Sequence, residues 1–199
     1  MKESKRYIDH LFRYGYDLAF ETKPTKATWK TVFGLWLHAA KAGHVRAQFY
    51  TGTCYDFAQG TKRDLQAAFK WYLKAAKAGL RDAQYNVGFF YGTSEVVTRN
   101  HKKQVYWYTL AANAGLVDAQ RDLGYKYFYG EGVKMNHKLA VYWYKKAARK
   151  NDNKALRNLA LCYKCGDGVK QSDRWAKYYF TLAAKAGSKK AKADLREYK

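Results

Sequence analysis

Ala111-Ala112-Asn113-Ala114-Gly115 decides the fold, because the same pattern returns four more times in register. It stands earlier as Ala39-Ala40-Lys41-Ala42-Gly43 and Ala75-Ala76-Lys77-Ala78-Gly79. It stands later as Ala147-Ala148-Arg149-Lys150-Asn151 and Ala183-Ala184-Lys185-Ala186-Gly187. The starting positions 39, 75, 111, 147 and 183 are 36 residues apart every time, with no insertion. A fixed period of about 20 to 50 residues marks a stacked-repeat architecture, in which a single unit cannot bury its apolar face and neighbouring units do it for one another.

Working outward, each period resolves into two helices. One, here helix B, begins at Thr28, Asp64, Asn100, Asn136 and Ser172, all residues whose side-chain oxygen caps the free N–H groups of a helix start. It ends at Gly43, Gly79, Gly115, Asn151 and Gly187. The exception is Asn, the residue after Gly best suited to the left-handed backbone of a helix end. Helix A follows, opening near Ala47, Ala83, Ala119, Ala155 and Ala191. Thr51-Gly52, Val87-Gly88, Leu123-Gly124 and Leu159-Ala160 come next, then Tyr55, Tyr91, Tyr127 and Tyr163, so small and apolar residues share one helical face. Gly130-Glu131-Gly132-Val133 and Gly166-Asp167-Gly168-Val169 connect A to the next B, whereas the turn over residues 92–97 lacks the Gly-x-Gly. On helix B the large packing residues are Trp71-Tyr72, Trp107-Tyr108, Trp143-Tyr144 and Tyr179-Phe180. The expected fold is all-α, an α-solenoid of antiparallel helix pairs in one domain over residues 1–199. Residues 1–27 form a divergent capping helix and loop, residues 28–187 the regular repeats, and residues 188–199 a C-terminal capping helix. The first A helix, near residues 6–20, departs from the pattern with Leu11 and Tyr16 where later copies have Ala and Gly or Ala.

The third A helix and the B helix after it carry Ala119, Leu123, Gly124, Tyr127, Gly130, Gly132, Val133, Asn136, Ala140, Trp143, Tyr144, Ala147 and Ala148. This pattern resembles the SEL-one-like repeats, a branch of the tetratricopeptide-like α-solenoids, over about residues 28–195. The resemblance implies a right-handed superhelix whose A helices line the concave side. It also implies a non-catalytic adaptor that grips a protein partner, with neutralisation of a bacterial toxin as a special case. Neither role follows from the periodicity, which marks a scaffold and no more.

Composition bounds the function. A chain of 199 residues that is 48% hydrophobic can bury a sizeable core. No apolar run approaches the roughly 18 residues of a membrane helix, and residues 1–20 lack the apolar segment of a signal peptide. Three cysteines, Cys54, Cys162 and Cys165, are read as free thiols of a cytoplasmic protein. Cys162 and Cys165 form Cys-x-x-Cys, but no second ligand pair accompanies them, so no metal and no cofactor is expected. The histidines His10, His38, His44, His101 and His137 form no motif, and neither a phosphate loop nor a nucleophile elbow is present. The chain is therefore read as no enzyme. Its charge of +22, from 38 basic and 16 acidic side chains, favours an acidic partner.

Positions that vary while their neighbours repeat are the candidates for binding. On helix A one column reads Arg13, Phe49, Tyr85, Arg121, Arg157, and the column four residues on reads Asp17, Thr53, Phe89, Tyr125, Leu161. Aromatics and arginines in a groove are the stuff of binding hot spots, so Arg13, Phe49, Tyr85, Phe89, Arg121, Tyr125 and Arg157 are the expected partner-binding residues. Helix B offers Lys30, Gln66, Lys102, Lys138 and Arg174 in one column and Lys41, Lys77, Asn113, Arg149 and Lys185 in another, with Tyr106, Tyr142 and Tyr178 between. Basic residues interleaved with aromatics suit a nucleic acid through Lys30, Lys102, Lys138 and Arg174. Against that, cations in the last turn offset the helix dipole and a lysine-rich face keeps a helical stack soluble.

Overall fold

Short polar residues start the B helices and glycine ends most of them, as the 36-residue period requires. The computed structural model describes residues 4–21 and 23–198, and among them the chain is all-α, with eleven α-helices, a closing 3-10 turn and no strand. It divides into two compact units, one ending at Arg99 and one beginning at Asn100, where the sequence reading expects one domain. The N-terminal unit holds α1 (Lys5–Phe20), α2 (Lys26–Lys41), α3 (Val45–Phe57), α4 (Leu65–Lys77) and α5 (Arg81–Thr93). The C-terminal unit holds α6 (His101–Asn113), α7 (Val117–Tyr129), α8 (His137–Ala148), α9 (Asn153–Cys165), α10 (Asp173–Lys185) and α11 (Lys189–Asp194), closed by the 3-10 turn Leu195–Tyr198. Odd-numbered helices are A and even-numbered helices are B.

Four of the five B-helix caps are where the sequence puts them. Asp64, Asn100, Asn136 and Ser172 each accept the backbone N–H three residues on, at 2.9, 2.9, 3.0 and 3.4 Å. The first is different. Thr25, not Thr28, caps α2, and Thr28 answers from the third helical position in a reciprocal capping box. All five B helices end on a left-handed residue, Asn151 (φ 59°) doing what Gly does elsewhere.

The repeating alanines are the floor of the stack. The columns Ala39 to Ala183 and Ala47 to Ala191, taken at every 36th residue, are without exception 0% exposed. No larger side chain fits a position so closely overlaid. Above them Tyr72 and Tyr144 lie flat on glycines: a Cβ added to Gly52 or Gly124 would come within 2.8 or 2.7 Å of the ring. The equivalent residue of α2 is Trp36, whose indole sits on Gly15 and donates to the carbonyl of Phe12 at 3.3 Å. Gly15 stands one residue before the Gly52 column, which Tyr16 fills in α1, while Leu11 and Gly15 are buried where the period puts them, in line with Ala47 and Thr51.

A tie that sequence reading missed links three of the A helices, α3, α5 and α7, to the B helix before each. Gln48, Gln84 and Gln120 donate their amides to the carbonyls of Ala40, Ala76 and Ala112, at 3.4, 3.3 and 3.0 Å. Each adds a second hydrogen bond to a carbonyl in the last turn of a B helix that already accepts the N–H of Gly43, Gly79 or Gly115. In the fourth copy Leu156 occupies the column, 2% exposed, and fills the space with apolar contact instead.

His44 caps α3 through Nδ1, which accepts the N–H of Ala47 at 3.0 Å, while Nε2 lies 3.5 Å from Asp9 and the ring stacks on Phe12. An Nδ1 that accepts a hydrogen bond carries no proton. Burial lowers the His44 pKa below its ordinary 6.5; Arg46 acts in the same direction and Asp9 opposes it. The folded value lies below the unfolded one, so the unfolded chain takes the proton first as pH falls. The contribution is whole above about pH 6.5 and is lost as pH drops through the folded value. His44→Asn keeps an accepting oxygen at the cap and cannot titrate. Between about pH 7 and about pH 5 the variant should lose less urea-denaturation stability than the parent, and equal losses would refute the assignment.

Candidate functional site

In the N-terminal unit the expected binding residues separate into packed and exposed ones. Arg13 is exposed, beside Lys5, Arg6, Asp9 and His10 on α1. Its neighbour Phe12, in the column of Gln48, Gln84, Gln120 and Leu156, is packed and 4% exposed. Phe49 is half-buried, its ring centroid 5.6 Å from Tyr72 and 5.3 Å from Tyr50. Tyr85 is half-buried, and Phe89 stands out at 50% exposure. Below this face the Tyr72 hydroxyl donates to Asp56 at 3.3 Å, with Thr53 at 3.5 Å. Burial raises the Asp56 pKa, and the Tyr72 hydrogen bond and Arg63 pull it back only in part.

The C-terminal unit builds a more definite feature from the equivalent positions. Tyr125 and Tyr129 are both exposed, their rings 4.4 Å apart on α7. With Phe128, Tyr144, Asn158 and Leu161 they line a small pocket of about 80 Å³. Tyr144 forms its base. The residue is 2% exposed, burial drives its pKa upward, and its hydroxyl is hydrogen-bonded with Asn158. Of this group the sequence reading singles out Tyr125 as a site and places Leu161 in the same column. Tyr129 and Asn158 were missed, although both could have been found by asking which columns beside Tyr144 vary.

The arginines are not free cations. Arg121 is 12% exposed and held by three carboxylates: Asp118 at 2.7 Å, Asp122 at 2.8 Å and Asp152 at 3.0 Å. Burial alone would lower its pKa; the hydrogen bonds and charges of Asp122, Asp118 and Asp152 outweigh that and raise it. Asp152 is also the N-cap of α9, accepting from Ala155 at 2.6 Å. Arg121 therefore clamps one repeat to the start of the next. Arg157 does the same further on, gripping Asp194 with two bonds of 2.6 and 3.2 Å. Lys126 is buried with Glu131 at 2.6 Å.

Lys30, Lys102, Lys138 and Arg174 on the B helices are all exposed. No three His, Cys, Asp or Glu side chains among the described residues form a group that could hold a metal ion. All three cysteines are free; burial pushes Cys54 and Cys162 up to about 12, which makes both inert, while Cys165 is exposed. No helix among the described residues is long and apolar enough to cross a membrane.

The repeats match a known family profile. Residues 45–80, 81–116, 117–152 and 153–188 each match the Sel1 repeat. Among solved structures, a protective antigen of uropathogenic Escherichia coli strains, described as displaying an SLR fold, is 28% identical with a TM-score of 0.90 over 96% of this chain. This chain spans only 40% of that antigen. A Sel1 repeat protein from Oxalobacter formigenes is 30% identical with a TM-score of 0.83, over 92% of this chain and 75% of that one. An immunity protein from Pseudomonas aeruginosa shares the fold at 20% identity, with a TM-score of 0.56 over 95% of this chain and 69% of that one. Curated proteins give no match.

Proposed function

We propose, from the premise that this chain belongs to the Sel1 repeat family, that it is a non-catalytic module holding a protein partner on its A-helix faces. The observation that carries this is the exposed aromatic surface around Tyr125 and Tyr129, a pocket floored by Tyr144 and too small for more than a side chain. Exposed aromatics at the edge of a preformed pocket are the common anchors of protein interfaces. Phe89 at 50% exposure is the corresponding anchor in the N-terminal unit, with Tyr85 one turn before it on α5. Arg121 and Arg157 serve the face by fixing α7, α9 and α11, and only their remaining exposure is open to a partner.

The partner we envisage is acidic overall, since a net charge of +22 steers acidic surfaces toward the protein before any contact forms. Free thiols support a reducing, cytoplasmic setting. Toxin neutralisation is a special case of this reading, supported by nothing beyond the fold shared with the Pseudomonas aeruginosa immunity protein. The test is affinity capture from the native cell with Phe89→Ser and Tyr125→Ser combined. Both residues are exposed, so the thermal melt should hold to within about 1 kcal/mol while the captured partner disappears. Full capture by the double variant would dispose of the proposal.

A further inference from the structure

Charge is sorted between the two kinds of helix in the C-terminal unit. Helices α6, α8 and α10 together carry eight Lys and Arg and a single acid, Asp173. On the A helices of the same unit the cations of Arg121, Lys126, Arg157 and Lys164 are consumed by carboxylates of the chain itself. Lys154 on α9 and Lys189, Lys190 and Lys192 on α11 stay exposed outside these pairs but form no repeating row; the positive charge of the B helices does.

It lies there in an ordered way. Lys102, Tyr106 and Asn113 on α6 are matched by Lys138, Tyr142 and Arg149 at α8, and by Arg174, Tyr178 and Lys185 on α10. Spacings of 4 and 11 residues hold each set on one helical face, the outer members about 16 Å apart along the axis. All nine are exposed, and the tyrosines are 58%, 47% and 49% open to solvent. Helix stability does not explain the set. Arg149 and Lys185 offset the negative end of their helices, but Lys102, Lys138 and Arg174 sit in the first turn, where the dipole disfavours a cation. Nor does packing call for three solvent-exposed tyrosines at mid-helix. Cations already seek these rings: Lys146 lies 4.8 Å from the centroid of Tyr142.

We infer that this B-helix face of the C-terminal unit binds single-stranded nucleic acid. The basic side chains take the phosphates, and Tyr106, Tyr142 and Tyr178 stack on unpaired bases. A row of exposed rings between cations separates this occupant from its competitors. A duplex hides its base faces, and an acidic protein or a lipid headgroup supplies charge without a stacking partner.

The experiment uses the whole chain with labelled 20-nucleotide oligo(U) and oligo(dT), read by fluorescence anisotropy. If about five phosphates are neutralised, affinity should fall roughly a hundredfold between about 50 and 200 mM salt. Replacing Tyr106, Tyr142 and Tyr178 together by Ala should weaken oligonucleotide binding about tenfold or more and leave heparin, a polyanion without bases, bound as before. Changing Lys102, Lys138 and Arg174 to Gln should lower the salt slope by about 2. Equal loss of heparin and oligonucleotide in the tyrosine variant would overturn the stacking role. Binding to phosphatidylserine vesicles without binding to either oligonucleotide would assign the face to a membrane surface and sink the inference.

Discussion

Gly132→Val is expected to lower the unfolding free energy by about 4 kcal/mol, two effects adding at one position. The residue has φ 77°, where an L side chain costs about 1–2 kcal/mol. Its missing Cβ would also lie 2.4 Å from the carbonyl carbon and oxygen of His101, at the start of α6. That neighbour is backbone of a packed helix and has no rotamer to retreat to, so the turn must leave its seat. Gly60 and Gly168 meet the starts of α2 and α8 in the same way, Gly60 within 2.0 Å of the Trp29 carbonyl oxygen. Gly79→Ala is the control: φ is 91° but nothing lies within 4 Å of the added carbon. It should cost only the backbone strain, about 1–2 kcal/mol. Urea denaturation separates the two, and a Gly132→Val loss no greater than that of Gly79→Ala would show that the turn does not need this seat.

The chain itself has made a related substitution. The column of Gly60, Gly132 and Gly168 reads Val96 in the second full repeat. There the first left-handed position is kept by Ser94, at φ 61°, but the second is given up, since Val96 is not among the residues with positive φ. This is the turn whose missing glycine stood out in the sequence, and the boundary between the two units follows it within a few residues, at Arg99 and Asn100.

What the sequence revealed and what it hid follow one physical division. Caps, helix stops and the alanine floor depend on residues within a few positions of each other, and every period restates them, so five copies average out chance. The packing of Trp36 on Gly15 was hidden because α1 is a single divergent copy with nothing to be averaged with. The ties of Gln120 and Arg121 went unseen for a different reason. A glutamine beside an alanine looks like solvent-facing polarity until the carbonyl of Ala112 is seen above it. An arginine in a variable column looks like a binding group until its acids are found. Asp152 is 31 residues away and Asp194 is 37 residues from Arg157, each across a repeat boundary where no local pattern points. The exposed members of the candidate site, Phe89 and Tyr125, were legible because variation against a repeating background is a local property.

Arg121→Glu is accordingly expected to destabilise the C-terminal unit, where the sequence reading expects a change of binding alone. The substitution removes the Arg121 cation that Asp118, Asp122 and Asp152 share and adds a fourth carboxylate. Removing one partner of a largely buried ion pair typically costs about 3–5 kcal/mol, because the other charges are left desolvated and unpaired. Asp118 is 55% exposed and contributes little, so the loss is carried by Asp122 and Asp152, at 30% and 14%. Asp152 makes the prediction specific. One of its oxygens caps α9 and the other meets Arg121, so Asp152→Asn keeps the cap and removes only the charge. In an Arg121→Met background Asp152→Asn should therefore restore part of the lost stability, while alone it should destabilise. A double-mutant cycle over these variants should give a coupling of about 1–3 kcal/mol. A coupling near zero, with Arg121→Glu melting like the parent, would return Arg121 to the set of residues free to meet a partner.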